Sequence, residues 1–176
     1  ACPPSIPGVN PSTVEAAGVR RICAEEALKV FNQYESGIVF PYFDLGGQPI
    51  MDRDEPFSRL RTDGVCDGKL YHQRNEDSAF PYLPPHLRNG STRVGQPIVV
   101  LEREEQALAL CDTGHFQALG LNDVDAVGYP DSEFPFPLGQ QLDKVLDCNP
   151  SASIYFGGDK DTLFNAFYYS AALNFR

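Results

Sequence analysis

The rhythm of apolar and polar positions changes part-way along this chain. From residue 97 onward, short apolar runs alternate with segments of helical spacing. Ile98-Val-Val-Leu101 is an unbroken apolar run of strand length, which predicts a strand buried on both faces. It stops at Glu102, and Glu104 to Cys111 reads as the helix that follows, with Gly114 as its stop. Phe116 to Leu121 and Ser153 to Phe156 predict a second and a third strand, and Leu142, Val145 and Leu146 predict a helix over Gln140 to Asp147. Leu163, Phe164, Phe167, Tyr168, Ala171 and Ala172 form a wide stripe over Thr162 to Phe175, a last helix that must pack on a sheet. Strands alternating with helices imply a parallel sheet joined by right-handed crossovers. The stretch 122–139, rich in Asp, Pro and Phe, predicts a lid or an insertion.

The front half alternates differently. Ser12-Thr-Val-Glu15 has the form of a capping box, so a short helix starts there and ends at Gly18. A second helix is expected from Ala24 to about Gln33, with Leu28 and Phe31 on one side. Ile38-Val-Phe-Pro-Tyr-Phe43, the Gly46-Gly47 turn and Phe57-Ser-Arg-Leu-Arg61 predict an antiparallel hairpin, with Pro41 making its first strand an edge or bulged one. Lys69 to Arg74 predicts a third strand, and Phe80 to His86 an extended, proline-restricted crossing. The glycines between 90 and 95 mark the expected boundary: an α+β subdomain over 1–94 and an α/β domain over 95–176.

Composition narrows the class. A chain of 176 residues builds one domain or two small ones, and its net charge of −10 disfavours non-specific attraction to a polyanion, so any nucleic-acid contact must be local or metal-assisted. No apolar run approaches the roughly 20 residues that span a bilayer. The five cysteines are odd in number and widely spaced, which predicts reduced, mostly buried thiols in a cytoplasmic protein. A start at Ala1 reads as a trimmed or excised chain.

Two carboxylates, Glu102 and Glu104, crowd what would be the carboxyl edge of the sheet, where α/β folds bind ligands. After the third strand, Phe156-Gly-Gly-Asp-Lys-Asp-Thr162 places Asp159 and Asp161 in a glycine-loosened turn, with Lys160 between them. If the first and third strands are neighbours, four acids converge as hard oxygen donors suited to Mg²⁺. Ordinary helix chemistry also suits these residues: Glu104 and Glu105 complement a helix dipole, and Asp161 or Thr162 is a natural N-cap. In the front half, Arg59, Arg61, Lys69, Tyr71, His72 and Arg74 alternate with apolar positions, either as a face for phosphates and bases or as the solvent side of an antiparallel sheet. Arg88 and Arg93 either extend that patch or solvate a loop. His72, His86 and His115 have no ligand spacing, and no nucleophile or phosphate-loop signature is present, so a catalytic histidine is not expected.

The pair Val99-Val-Leu-Glu102-Arg-Glu104-Glu-Gln-Ala-Leu-Ala-Leu110 and Ile154-Tyr-Phe-Gly157-Gly-Asp159-Lys-Asp161-Thr-Leu-Phe-Asn165-Ala resembles the toprim domain of primases, topoisomerases and some nucleases. It is more similar still to the toprim-like segment of phage, plasmid and integrative-element replication proteins. There a strand ends in E-G-E-K before an A-L-A-L-type helix, and a later strand ends in D-x-D. From Ser12 to Tyr82-Leu-Pro-Pro85 the chain resembles the domain before that core, where a G-I-x-x-P-Y-x-D-x-x-G hairpin, an R-x-R strand and a Pro-Pro segment recur.

The resemblance implies a toprim-like parallel sheet with flanking helices, preceded by a small α+β subdomain with an antiparallel hairpin. It implies a primase-type or helicase-primase-type module of a mobile-element DNA replication protein, part of a longer polypeptide. In it Glu102 is the general acid/base, Glu102, Glu104, Asp159 and Asp161 hold Mg²⁺, and single-stranded DNA and a helicase or other replication protein are the partners. Arg59, Arg61, Lys69, Arg74 and Lys160 are the candidate nucleic-acid contacts. Three departures weaken the implied chemistry: Gly157 stands where the family has its first aspartate, Arg103 replaces a glycine, and Glu105 replaces the usual lysine. Phosphoryl transfer needs charge neutralised around the phosphate, so these changes argue against full polymerase or strand-cleaving activity. A non-catalytic binding or scaffolding domain is the contrasting expectation.

Overall fold

The computed structural model describes residues 3–76, 78–91, 93–121, 144, 145, 147 and 149–157. The expected loop 122–139, most of the 140–147 helix and the last helix lie outside the described residues. The chain divides into two compact units, Ala1–Tyr42 with Pro49–Ser78, and Phe43–Gln48 with Ala79–Arg176. Segment 79–94, grouped by sequence with the front half, thus belongs to the second unit.

In the first unit, α1 (Pro11–Ala16) starts one residue before the expected capping box. Asn10 is the N-cap, without a side-chain capping bond, and Pro11 takes the first helical position, where its fixed φ fits and its missing N–H is not needed. Ser12 is therefore inside the helix. The next strand, β1 (Arg20–Ile22), was not foreseen. Helix α2 (Ala24–Phe31) carries Glu25 and Glu26 in its first turn, Lys29 in its last, and ends on Asn32 at φ 56°.

Strands β1, β2 (Gly37–Pro41), β5 (Ser58–Cys66) and β6 (Lys69–Gln73) form an antiparallel sheet in that order. Between β2 and β5, the short β3 (Met51–Asp52) and β4 (Glu55–Pro56) make a hairpin of their own, whose turn residues Arg53 and Asp54 both have positive φ, 48° and 70°. The expected hairpin is present with its tight turn at Gly46-Gly47, where the Gly47 N–H donates to the Asp44 carbonyl at 3.0 Å and the Asp44 N–H to the Gln48 carbonyl at 2.8 Å; the β3–β4 excursion follows that turn before β5. Nor is β2 an edge strand: it lies between β1 and β5, and tolerates Pro41 as its last residue, opposite Ser58. Ile22, Val39 and Leu60 share the face that packs against Ala27 and Phe31 of α2.

In the second unit the sheet order is β10 (Ile154–Phe156), β8 (Ile98–Leu101), β9 (Gln117–Leu121) and β7 (Pro81–Tyr82). The first three strands are parallel, and β7 joins β9 antiparallel. Helix α3 (Glu104–Asp112) is the crossover from β8 to β9. Leu83, Leu87, Ile98, Val100, Leu119 and Val145 form one buried core, with Ile154 and Phe156 packed against it. Ala107, Leu108 and Cys111 are the buried apolar residues of α3, and the Cys111 Sγ meets the backbone of Ala118 in β9. The architecture is thus mixed α and β, with one antiparallel and one mixed four-stranded sheet.

At the amino edge of the mixed sheet, two buried amides fix the 93–96 loop. Gln117 bonds the backbone of Arg93 and Gln96, and Asn149 bonds Arg93, Gly95 and Gln96. Among the described residues no helix is long and apolar enough to cross a membrane. The described cysteines are free thiols: Cys111 is buried, Cys66 half-buried and Cys23 exposed, while Cys2 and Cys148 lie outside the described residues.

Candidate functional site

The carboxyl rim of the mixed sheet collects the unusual polar groups. Ile154 pairs with Ile98 and Phe156 with Val100, and the Gly157 N–H donates to the Val100 carbonyl at 2.8 Å. The chain therefore leaves β10 beside the strand end from which Glu102 departs. Adjacent parallel strands bring the glutamate-bearing turn and the start of the aspartate-bearing segment to one edge. Asp159, Lys160 and Asp161 lie outside the described residues.

Glu102 is half-buried, and its Oε2 is shielded from solvent without a hydrogen-bond partner. A carboxylate oxygen in that condition is costly unless something else compensates it. Arg103 is the extended N-cap of α3, so Glu104 occupies the first helical position, as its sequence position implied. Glu104 is also fully buried, at 0% exposure, which a solvated helix-start acid would not be. The positive end of α3 offsets part of that cost.

Gly157 stands close to the strand beside it. A Cβ there would come within 2.9 Å of Leu101 Cδ2, so an acidic side chain at this position would require Leu101 to move. From Leu101 an open groove of about 430 Å³ runs along α3, lined by Gln106, Ala109, Leu110 and Thr113. The Gln106 Oε1 is buried without a hydrogen-bond partner. Among the described residues, no three His, Cys, Asp or Glu side chains converge as a metal site.

Sequence reasoning missed two buried polar residues of this unit. Tyr82 pairs with Gly120, which pairs in turn with Leu101, so Tyr82 lies in the row at which β8 ends, one row short of the Pro81–Leu121 pair. It is fully buried; burial pushes its hydroxyl well above the ordinary range, opposed by the charge of Arg88 and reinforced by that of Glu104. Arg88 neither extends a surface patch nor solvates a loop: it is 5% exposed, with Cζ 4.2 Å from the centre of the Phe43 ring and Nε donating to the Leu83 carbonyl at 2.8 Å. Burial lowers its affinity for its proton. The available signal was the stiff Pro84-Pro85 pair before it, which fixes the path of the short 3₁₀ turn at Pro85–Leu87.

The cations of the front half do not form one face. Arg59 and Arg61 share a side of the antiparallel sheet with Tyr71, and the Arg59 guanidinium lies 4.8 Å from the Tyr71 ring centre. His72 pairs with Leu60 on the opposite side and is buried. Arg74 bonds the Val30 carbonyl of α2 and pairs with Glu55, while Lys69 pairs with Glu76. Arg93 bonds the Gly114 carbonyl. Away from the rim, His86 Nε2 lies 3.2 Å from Asp112 Oδ1 at the last residue of α3, and burial holds the imidazole below its ordinary value. Comparison with known proteins finds no family model, curated protein or solved structure that matches the chain.

Proposed function

We propose that the carboxyl rim is the site of a toprim-like, primase-type nucleic-acid-processing module of a mobile-element DNA replication protein, working with Mg²⁺. One observation carries the reading: β8 and β10 are adjacent and parallel, and the turn after β8 holds a carboxylate oxygen, Glu102 Oε2, that is shielded and unpartnered. A hard cation is what such an oxygen suits. A bound Mg²⁺ would supply charge neutralisation for phosphoryl transfer. Glu102 would hold it, and the buried charge of Glu104 would add to the field that draws a cation to the rim. Asp159 and Asp161 are the proposed remaining ligands, single-stranded DNA the substrate, and a helicase or other replication protein the partner.

Titration with Mg²⁺ or Mn²⁺, followed by NMR and calorimetry, tests this. Wild type should bind, and Glu102→Gln should weaken binding by about tenfold or more, the loss of one charged ligand. A folded wild type that binds neither ion would refute the metal site.

Gly157 favours a second reading, a non-catalytic domain that keeps the rim and holds single-stranded nucleic acid or a replication partner. Leu101 occupies the space an acid at position 157 would need, and Glu105 is an acid where the resembled family has a lysine. Salt-dependent binding of single-stranded DNA without any nucleotide incorporation would select this version.

A further inference from the structure

Asn89-Gly90 is the one Asn-Gly pair in the sequence, and both residues are exposed. Their φ values are 55° and 72°, and the Ser91 N–H donates to the Arg88 carbonyl at 3.1 Å, so they form the centre of a type I′ turn. The turn from Asp44 to Gln48, in the same unit, lies against it. The Asn89 N–H donates to the Leu45 carbonyl at 2.7 Å. The Asn89 carboxamide covers Gly47, where a Cβ would come within 2.7 Å of Oδ1 and 2.9 Å of Nδ2. Two conditions therefore hold position 47 to glycine, the room this amide takes and a φ of 77°.

What Gly90 lacks decides the chemistry. It has no side chain, nothing lies within 4 Å of where a Cβ would be, and its N–H makes no hydrogen bond among the described residues. Its nitrogen is thus unhindered toward the carboxamide that precedes it. In a type I′ turn, however, the ψ angle of Asn89 holds that nitrogen away from Cγ. The closed turn protects the pair, and a local opening that breaks the Ser91–Arg88 bond and lifts the amide from Gly47 exposes it.

We infer that Asn89 is a site of spontaneous deamidation gated by this turn. The Gly90 nitrogen attacks the Asn89 Cγ, and the new N–Cγ bond closes a succinimide ring. The Cγ–Nδ2 bond breaks, and the proton lost from the Gly90 nitrogen leaves with the amide as ammonia. Water then opens the ring at either carbonyl, giving aspartate or isoaspartate, with no oxidant or reductant involved. Neither product restores the original contact. Aspartate sets a carboxylate on Gly47, in the turn whose Asp44 Oδ1 accepts from the Gln48 N–H at 2.9 Å, and adds a negative charge to a chain already at −10. Isoaspartate lengthens the backbone by a methylene inside the turn. Conversion therefore separates the two turns irreversibly.

The test is incubation of the folded protein at mildly alkaline pH, with peptide mapping by mass and isoaspartate read by enzymatic methylation. Asn89 should lose its amide before any other asparagine, and more slowly in native buffer than in urea that unfolds the chain. Gly47→Ala, which drives a methyl group into the carboxamide, should speed the loss in native buffer. Because that variant also strains a positive-φ position, a second measurement keeps to wild type: the Gly47 and Gly90 amide resonances should shift together as product accumulates. An Asn89 still intact in the folded protein once the unfolded chain is fully converted, or another asparagine reacting first, overturns the site. Equal rates in native buffer and urea, or a folded Gly47→Ala that converts no faster than wild type, overturns the gating. An unmoved Gly47 resonance in the converted protein overturns the separation of the turns.

Discussion

Single residues carry the sharpest structural constraints in this protein, and Gly37 is the tightest of them. A Cβ at this position would lie 2.2 Å from the Arg61 carbonyl oxygen and 2.8 Å from Leu60 Cδ1. The first obstacle is backbone in the paired strand, so no side-chain rotation relieves it. Gly37→Ala should destabilise the first unit by more than about 2 kcal/mol, seen as a lower urea midpoint with an unchanged slope. An unchanged midpoint would mean that β2 and β5 separate without cost. Nothing in its local sequence marks Gly37, because the pressure on it comes from Leu60 and Arg61 in a strand more than twenty residues away. Arg88 was illegible for the same reason. Its neighbours Phe43 and Leu83 are distant or unremarkable in sequence, and only their meeting makes the guanidinium a buried group.

Among the elements, those with strong local signals were legible and those defined by pairing were not. Ile98 to Leu101, Glu104 onward and Ile154 to Phe156 declared themselves because an apolar run ending at a charged turn has few alternatives. By contrast, β1 is Arg20-Arg21-Ile22, with one apolar residue, and exists because β2 offers it a ladder. Pro81–Tyr82 read as a crossing segment, yet at the sheet margin a proline is compatible with pairing, and it became β7. The candidate site followed the same division: strands β8 and β10 were legible from their apolar runs, whereas the contacts of the front-half cations were not, since Arg59 and Arg61 share a side with Tyr71 while Arg74 is tied to Val30 and Glu55. The α3–β9 contact gives a direct test of element stability. Cys111 Sγ accepts from the Ala118 N–H at 3.2 Å, and burial pushes its thiol pKa up to about 12. Thiol-specific labelling with mass mapping should modify exposed Cys23 at once and Cys111 only as α3 lifts from the sheet, at a rate that rises with denaturant. Labelling of Cys111 as fast as Cys23 in native buffer would show that this helix is not held as described.

At the scale of the whole molecule, both units carry a histidine that resists protonation. His72 in the first unit is buried, and desolvation lowers its pKa against the opposing backbone bond and the charges of Glu76 and Asp67. His86 in the second is lowered by burial too, with Arg93 acting in the same direction and Asp112 opposing. In each case the unfolded chain, with an imidazole near about 6.5, binds the proton more readily than the folded one. Stability is therefore complete above about pH 6.5 and falls as the pH drops through that value toward the lower folded pKa. A second decline belongs to Asp63, held below its ordinary value by the Ser36 hydroxyl and by Arg21; its contribution is present above about pH 4 and is lost below it. Urea unfolding followed across this range should show stability dropping in two stages. Replacing both His72 and His86 by Gln should flatten the upper stage and leave the lower one intact. If the upper stage persists at full size in that double variant, groups other than these two imidazoles set the response to mild acid, and the burial assigned to them is not what limits the fold.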